Sequence, residues 1–334
     1  MLQKEIRLLL ARQLMIGLLL APACSAQLPD YYRTVSRVTW VVENIDRVRT
    51  AWEAMGLSDI REYPNIQLVG EFRGKPVTIY AWQITGRLGN LIVDMIQPAE
   101  GQANAYTDFL RKHGDGILSI AHEVASPQVL EQEIMRMKAK GVGVLQRVTV
   151  LRDKTPVTLT YFDTEPEGKF VLELVHGAST TKQSVGAATV SHFGWVVWDA
   201  ASVSAYWERL GFPAFPMQHA TPRADGRFKG SPLSLAFEVG FQRHAQFRYE
   251  WVSPPPSPQN IYADFLNKHH AEGIQHIGML VDDLPKSIAA FEKLGYHVHQ
   301  AGAWGDVWKP ASGQYAYMDT DSAGGISLEL IRAY

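Results

Sequence analysis

The second half of this 334-residue chain repeats the first half at a nearly constant offset. The aligned segments are 34–57 with 189–212, 71–76 with 227–232, 104–113 with 260–269, 114–124 with 271–281, and 161–175 with 317–331. Their starting residues differ by 155, 156, 156, 157 and 156 positions. An offset that holds over so many segments indicates a duplicated structural unit. It predicts two related domains, at 34–176 and 189–332, joined by a small, polar linker at 177–188.

Each half divides again into two similar modules. In the second half, VSHFGWVVWD is a predicted buried strand, and AASVSAYWERLG is a predicted helix that ends at Gly211. The runs FPAFPM, LSLAFEVG and QFRYEWV are predicted strands, and a connecting helix is expected to start at Ser257–Pro258. The order then restarts with IQHIGMLV. The predicted fold is therefore α+β, with four modules of the order strand, helix and three strands.

Composition and charge exclude several classes of protein. Hydrophobic residues make up 46% of the chain, which is enough for a sizeable core. The 32 basic and 34 acidic residues form no basic stripe, so a nucleic-acid partner is not expected. Cys24 is the single cysteine, which rules out an internal disulfide and a cysteine-ligated metal site.

The N-terminus is typical of a secretory signal. Lys4, Arg7 and Arg12 precede an apolar run from Leu14 to Ala23, and small residues follow as far as Ala26. The run is too short to span a bilayer. We expect a signal peptide at 1–26 and a soluble exported protein, periplasmic or secreted. Lipid attachment at Cys24 and an N-terminal amphipathic helix packed on the domain are the alternatives.

The order of these elements, together with the stretch PPPSPQNIYADFLNKHHAEGIQHIGMLVDDLPKSIAAFEKLG, resembles the glyoxalase, or vicinal oxygen chelate, superfamily. The likeness is closest to methylmalonyl-CoA epimerase-like proteins. In that superfamily two βαβββ modules pair around one metal site, and each module gives a ligand from its first strand and another from its last. The resemblance implies that the four modules form two such domains.

Carried over by position, the resemblance gives a ligand set in the C-terminal half: His192, Glu250, His276 and Glu329. Two imidazoles and two carboxylates suit one divalent ion of zinc, nickel, cobalt or manganese, with water in the open positions. The equivalent residues of the N-terminal half are Arg37, Asp94, Ser119 and Glu173.

Both histidines are therefore missing from the N-terminal half. A fixed positive charge on Arg37 disfavours a dication, so we expect Arg37, Asp94 and Glu173 to form an ion-paired remnant without a metal. A displaced ligand role for His122 is the alternative.

The resemblance implies a metal-dependent isomerase, epimerase or lyase that stabilises an enolate of a small carbonyl-bearing substrate. Glu250 and Glu329 would be its catalytic proton carriers. The alternative is an Fe(II) extradiol or hydroxyphenylpyruvate-type dioxygenase that uses His192, His276 and Glu329. Glu250 as a fourth ligand favours the first hypothesis. A third hypothesis is a binding protein of the same fold without catalysis.

Two tryptophans are candidates for substrate contact. Trp304 and Trp308 lie in AGAWGDVWKP, a predicted loop over the pocket mouth. The expected partner is a small molecule. Pairing of the modules within one chain and pairing across a homodimer are both open.

Overall fold

The computed structural model describes residues 28–177, 189–221, 223, 225–233, 237–244, 246–255 and 259–334. The predicted signal peptide, Cys24 and linker residues 178–188 lie outside the described residues, so export stays a prediction, and so do the domain boundaries. Within the described ranges, no helix has the length and apolar character needed to cross a membrane.

The N-terminal half is a closed barrel with helices on its outside. Its strands are β1 Arg37–Val41, β2 Leu57–Phe72, β3 Lys75–Leu88, β4 Leu91–Pro98, β5 Gly116–Glu123, β6 Val144–Arg152, β7 Thr155–Phe162 and β8 Val171–His176. Its helices are α1 Ile45–Ala54, α2 Ala105–His113, α3 Pro127–Ala139 and the short α4 Glu165–Gly168. The strand order around the barrel is β1-β4-β3-β2-β6-β7-β8-β5.

The C-terminal half forms a ten-stranded sheet. Its strands are β9 Thr189–Val196, β10 Gln218–Ala220, β11 Arg227–Phe228, β12 Ser231–Pro232, β13 Phe237–Arg243, β14 Arg248–Ser253, β15 Gly273–Leu280, β16 Val298–Trp304, β17 Gly313–Met318 and β18 Ser327–Ala333. Its helices are α5 Ala200–Leu210, α6 Ile261–His269 and α7 Leu284–Lys293. The strand order is β10-β13-β14-β9-β15-β18-β17-β16-β11-β12.

The four predicted βαβββ modules are confirmed, with one irregular member. In the third module, β10 and β11 occupy the place of the single long strand β2 of the first. The predicted strand FPAFPM is wrong, since pairing begins only at Gln218. Pro213 and Pro216 have no N–H to give to a strand ladder. The predicted start of α6 at Ser257–Pro258 lies outside the described residues, and the helix begins at Ile261.

The same pairing of strands occurs in the middle of both halves. The first strands of the two modules run antiparallel, β1 beside β5 and β9 beside β15. Each first strand also runs parallel to the last strand of its own module, as β9 does to β14 and β15 to β18. The C-terminal half therefore has the central order β14-β9-β15-β18, which brings residues distant in sequence onto one concave face.

Two equivalent tryptophans join the halves. Trp52 on α1 donates its indole N–H to the carbonyl oxygen of Ala323, at 2.7 Å. Trp207 on α5 donates to the carbonyl oxygen of Gly168, at 3.1 Å, and stacks on Phe170 with ring centroids 4.7 Å apart. One hydrophobic core contains residues of both halves. The two halves therefore share packing as well as ancestry.

We expect Trp207→Ala to destabilise the whole chain, because it removes a fully buried ring at the junction of the halves. Loss of such a side chain costs about 3–5 kcal/mol. Urea unfolding followed by circular dichroism measures this cost. Trp198→Ala is the matched control, since Trp198 is 54% exposed and its loss should change stability by about 0.5 kcal/mol or less. Two separate transitions, of which only one shifts, would contradict the shared core.

Candidate metal centre

The structure brings together the four side chains predicted as ligands. His192 Nε2 lies 2.9 Å from an oxygen of Glu250 and 2.9 Å from an oxygen of Glu329. His276 Nε2 lies 3.1 Å from His192 Nε2 and 3.4 Å from Glu250. One donor atom from each of the four lies within 4.8 Å of the others. Among the described residues, this is the only such group of three or more potential ligands.

Strand register explains the convergence. On β15, Gly278 is opposite His192 of β9, and His276 is opposite Gly194. The outer strands place Glu250 beside Gly194 and Glu329 beside Gly278. Across the sheet, each row therefore has one glycine between a histidine and a glutamate.

The glycines leave room for the imidazole rings. A Cβ built on Gly194 would lie 1.8 Å from Cε1 of His276. A Cβ built on Gly278 would lie 2.1 Å from Cε1 of His192. Any larger residue would push the facing ring away from the centre.

Hydrogen bonds at the rear of both rings direct Nε2 to the centre. The Oε1 atom of Gln275 lies 2.7 Å from His276 Nδ1, and because this oxygen only accepts, Nδ1 carries the proton. The Ser191 hydroxyl donates to the Gly278 carbonyl oxygen at 3.2 Å, and its oxygen lies 3.1 Å from His192 Nδ1, from which it can accept. Supporting bonds of this kind orient histidine ligands of metals.

The donor set fits a divalent cation. With both Nδ1 atoms protonated, two Nε2 lone pairs and two carboxylates face one point. Ligands about 2.1 Å from one ion and at right angles are about 3.0 Å apart, close to the shorter distances here. Burial alone would lower the pKa of His192, but hydrogen bonds to Glu250 and Glu329 outweigh it and raise the pKa to about 9. The site thus favours positive charge.

The N-terminal half has filled the corresponding space. Thr39 and Ala121 occupy the positions of Gly194 and Gly278, opposite Ser119 and Arg37. Side chains thus stand where the C-terminal half leaves room for imidazoles.

The predicted ion-paired remnant is partly wrong. Asp94 pairs with Arg37 at 3.2 Å and with Arg152 at 2.9 Å. Glu173 instead accepts hydrogen bonds from Thr39 and Ser119, at 2.8 and 2.6 Å. Arg152 reaches Asp94 from β6 of the closed barrel, so both arginines pair with the same carboxylate. In the part of the chain that the structure describes, Glu173 has no ion pair within 4 Å.

The other sequence candidates lie apart from the cluster. His122 faces the opposite direction, with Nδ1 2.9 Å from the Thr34 carbonyl oxygen and its ring beside Tyr32. Trp304 ends β16 rather than lying in the predicted loop, and Trp308 packs on Tyr334 while 75% of it is exposed. Contact of these two tryptophans with substrate stays a prediction.

The residues that support the ligands were not among those predicted from the sequence. Gly194 and Gly278 follow the two histidines by two positions, so a repeated His-x-Gly pattern was present to be found. Ser191 and Gln275 each precede a histidine by one position. These two residues could not be recognised from the sequence, because strand bulges bring their side chains to the imidazoles and the sequence does not show such bulges.

Comparison with known proteins identifies the family. A sequence model of the Glyoxalase/Bleomycin resistance protein/Dioxygenase superfamily matches residues 36–161 and 191–309, one region in each half. Together the two regions cover more than half of the chain. The chain therefore belongs to this superfamily, as its motifs indicated. The closer likeness to methylmalonyl-CoA epimerase stays a prediction.

Individual similarities are more distant. The chain is 19% identical over 207 residues to an uncharacterized protein of Synechocystis sp., which covers 61% of this chain and only 58% of that protein. A mutant 4-hydroxymandelate synthase from Streptomyces coelicolor is 14% identical, with a TM-score of 0.62 over 89% of this chain and 92% of that chain. A halotolerant catechol dioxygenase is 16% identical, with a TM-score of 0.48 over 90% of this chain and 87% of that chain. These likenesses concern the fold alone.

We expect Gly278→Ala to weaken metal binding at least about tenfold. Changes to residues that orient a metal ligand, without being ligands themselves, typically have an effect of this size. The added methyl group would displace the His192 ring while leaving the four donor residues in the chain. Metal content after dialysis against a weak chelator measures the effect. Gly143→Ala is the control, because a Cβ there meets no atom within 4 Å. Full metal occupancy in Gly278→Ala would contradict the packing argument.

We expect Glu173→Gln to stabilise the protein at neutral pH. Burial raises the pKa of Glu173 to about 7, despite hydrogen bonds from Ser119 and Thr39. A raised carboxyl pKa makes the wild type lose stability as the pH rises from the unfolded value, about 4.5, to about 7. The variant should therefore gain up to about 3 kcal/mol across this window and little at pH 4. Urea unfolding between pH 4 and 8 tests it, and a pH-independent difference would contradict it.

Proposed function

We propose that the C-terminal half is the catalytic half of a metal-dependent isomerase, epimerase or lyase that moves a proton next to a substrate carbonyl. The observation that carries this proposal is the presence of two carboxylates, and not one, in contact with the same pair of imidazoles. The superfamily contains many metal-dependent enzymes, which supports an enzymatic role at a general level. The metal, whether zinc, nickel, cobalt or manganese, belongs to the proposal.

The four side chains would bind the metal together. His192 and His276 come from the inner strands β9 and β15 and would hold the ion with Glu250 and Glu329. A bound divalent ion supplies a Lewis acid that draws electron density from a carbonyl oxygen and so acidifies the neighbouring C–H group. An ion held by these four residues would, if six-coordinate, have two positions open for substrate oxygens.

The two carboxylates are placed to act from different sides. Glu250 comes from β14 and Glu329 from β18, with the two histidine strands between them. Three strand spacings of about 4.8 Å each separate the two backbones along the sheet, so the two side chains converge from opposite sides of the histidine strands. Glu250 can therefore accept a proton on one side of a bound substrate while Glu329 serves the other. Water is limited there, since both carboxylates are largely buried.

The second candidate function is an Fe(II) dioxygenase. His192, His276 and Glu329 form the two-histidine, one-carboxylate set that such enzymes use, and this set is contained within the four. Glu250 distinguishes the two candidates, because an oxygenase does not need the fourth ligand and an isomerase needs the second base.

We expect Glu250→Gln and Glu329→Gln each to reduce proton exchange about 100-fold or more, since loss of a general base has an effect of this size. The probe is acetoin in D₂O, followed by NMR with protein loaded in turn with Zn²⁺, Ni²⁺, Co²⁺ or Mn²⁺. Removal of the ion by a chelator should have the same effect. Glu173→Gln, the equivalent carboxylate of the N-terminal half, is the matched control and should leave exchange unchanged.

The same samples separate the alternatives. Oxygen uptake with catechol and Fe(II) that survives Glu250→Gln would favour the dioxygenase. Stoichiometric metal without exchange or oxygen uptake would favour a binding protein.

A further inference from the structure

Two arginines stand directly opposite each other beside the candidate metal centre. Arg243 on β13 is in register with Arg248 on β14, and both are exposed. Like charges in this arrangement destabilise a sheet. Within the described ranges, neither guanidinium has a carboxylate within 4 Å, whereas the Arg152 guanidinium lies 2.9 Å from Asp94. The pair therefore has an electrostatic cost that no ion pair within the described ranges offsets.

The pair lies on the same face as the metal ligands. Side chains alternate along a strand, so Arg248 points to the same side of β14 as Glu250. Arg248 is also the parallel partner of His192 on the neighbouring strand. Because adjacent strands are about 4.8 Å apart, the Arg248 side chain emerges one strand away from a predicted ligand.

An exposed aromatic ring lies beside the arginine pair. Phe241 is in register with Glu250, and 42% of it is exposed. The Cζ atom of Arg248 lies 5.7 Å from the centre of the Phe241 ring. An apolar face and an unneutralised guanidinium thus lie together at the edge of the centre.

The N-terminal half gives an internal comparison. There the cross-strand pair equivalent to Arg243 and Arg248 is Arg87 and Ile92, and the residue equivalent to Phe241 is Thr85. The second arginine and the aromatic ring therefore occur only in the half that has the histidines. A role in the sheet itself would apply equally to both halves.

We propose that Arg248, assisted by Arg243, binds the carboxylate of an organic acid whose apolar body packs on Phe241. The inference rests on the proposed function, since it assigns a substrate class to that site. Glu250 and Glu329 would balance the charge of a dication, so the arginines leave a positive field at the opening of the centre. A guanidinium binds a carboxylate through two parallel hydrogen bonds, which fixes the orientation of the acid. The carboxylate is therefore held by arginine and not by the ion.

The test compares an acid with its neutral analogue. Phenylacetate and phenylacetamide are titrated against the full chain by ligand-observed NMR at low salt, with and without Zn²⁺. We expect wild type to bind the acid at least tenfold more tightly than the amide in both forms. Arg248→Met should abolish that preference, and Arg248→Lys should retain part of it. Arg332→Met is the control, since Arg332 lies on the other face of β18 and stacks on Tyr334.

Each outcome has a distinct meaning. Equal binding of acid and amide by wild type would overturn the inference. So would acid binding that needs Zn²⁺ but is unchanged in Arg248→Met, because the carboxylate would then bind the ion. Tighter binding of phenyl phosphate than of phenylacetate, lost in Arg248→Met, would replace the carboxylate by a phosphate. If the chain prefers phenylacetate to phenylacetamide through Arg248 but binds no metal, the anion site is supported and the proposed metal-dependent function is contradicted.

Discussion

The antiparallel pairing of β9 with β15 is the constraint on which the rest of the site depends. It places each histidine opposite a glycine, so that two imidazoles from neighbouring strands can turn toward each other without collision. The register shifts twice in this pairing, once at Gln275, which has no partner on β9, and once at Ser191, which has no partner on β15. Each irregularity therefore lies directly before a histidine of the candidate site. A slip of one residue would turn both histidines to the helix-covered face.

The two halves show what the same scaffold does with and without that arrangement. In the N-terminal barrel, Thr39 and Ala121 remove the space for rings, and Arg37 takes the place of a histidine. The site does not become apolar, since Asp94 and Glu173 remain buried inside the barrel. Its charge is instead neutralised within the protein, by two arginines on Asp94 and by the raised pKa of Glu173. Burial favours the neutral form of a carboxyl group that has no cation beside it among the described residues.

Much of the fold could be predicted from the sequence, for physical reasons. A duplication repeats hydrophobic periodicity, so the four modules could be predicted from alternation and helical spacing alone. The four ligand positions did not follow from this pattern: they were what the resemblance to the superfamily implied, carried over strand by strand. The third module was harder, since Pro213 and Pro216 interrupt an apolar run that otherwise has the composition of a strand. Arg152 could not be predicted, because its contact with Asp94 depends on closure of the barrel.

The two halves differ in how far the described residues cover their polar groups. In the N-terminal half, β2 pairs with β3 on one side and β6 on the other, and together these strands enclose the polar cluster. In the C-terminal half, the shorter strands β10 and β11 share that position, and Phe241 on β13 and Arg248 on β14 are exposed. Among the described residues, the polar cluster of the N-terminal half is therefore enclosed by strands, whereas exposed side chains lie beside the four candidate ligands of the C-terminal half. The same scaffold thus buries one set of polar groups completely and leaves the other beside solvent-exposed residues.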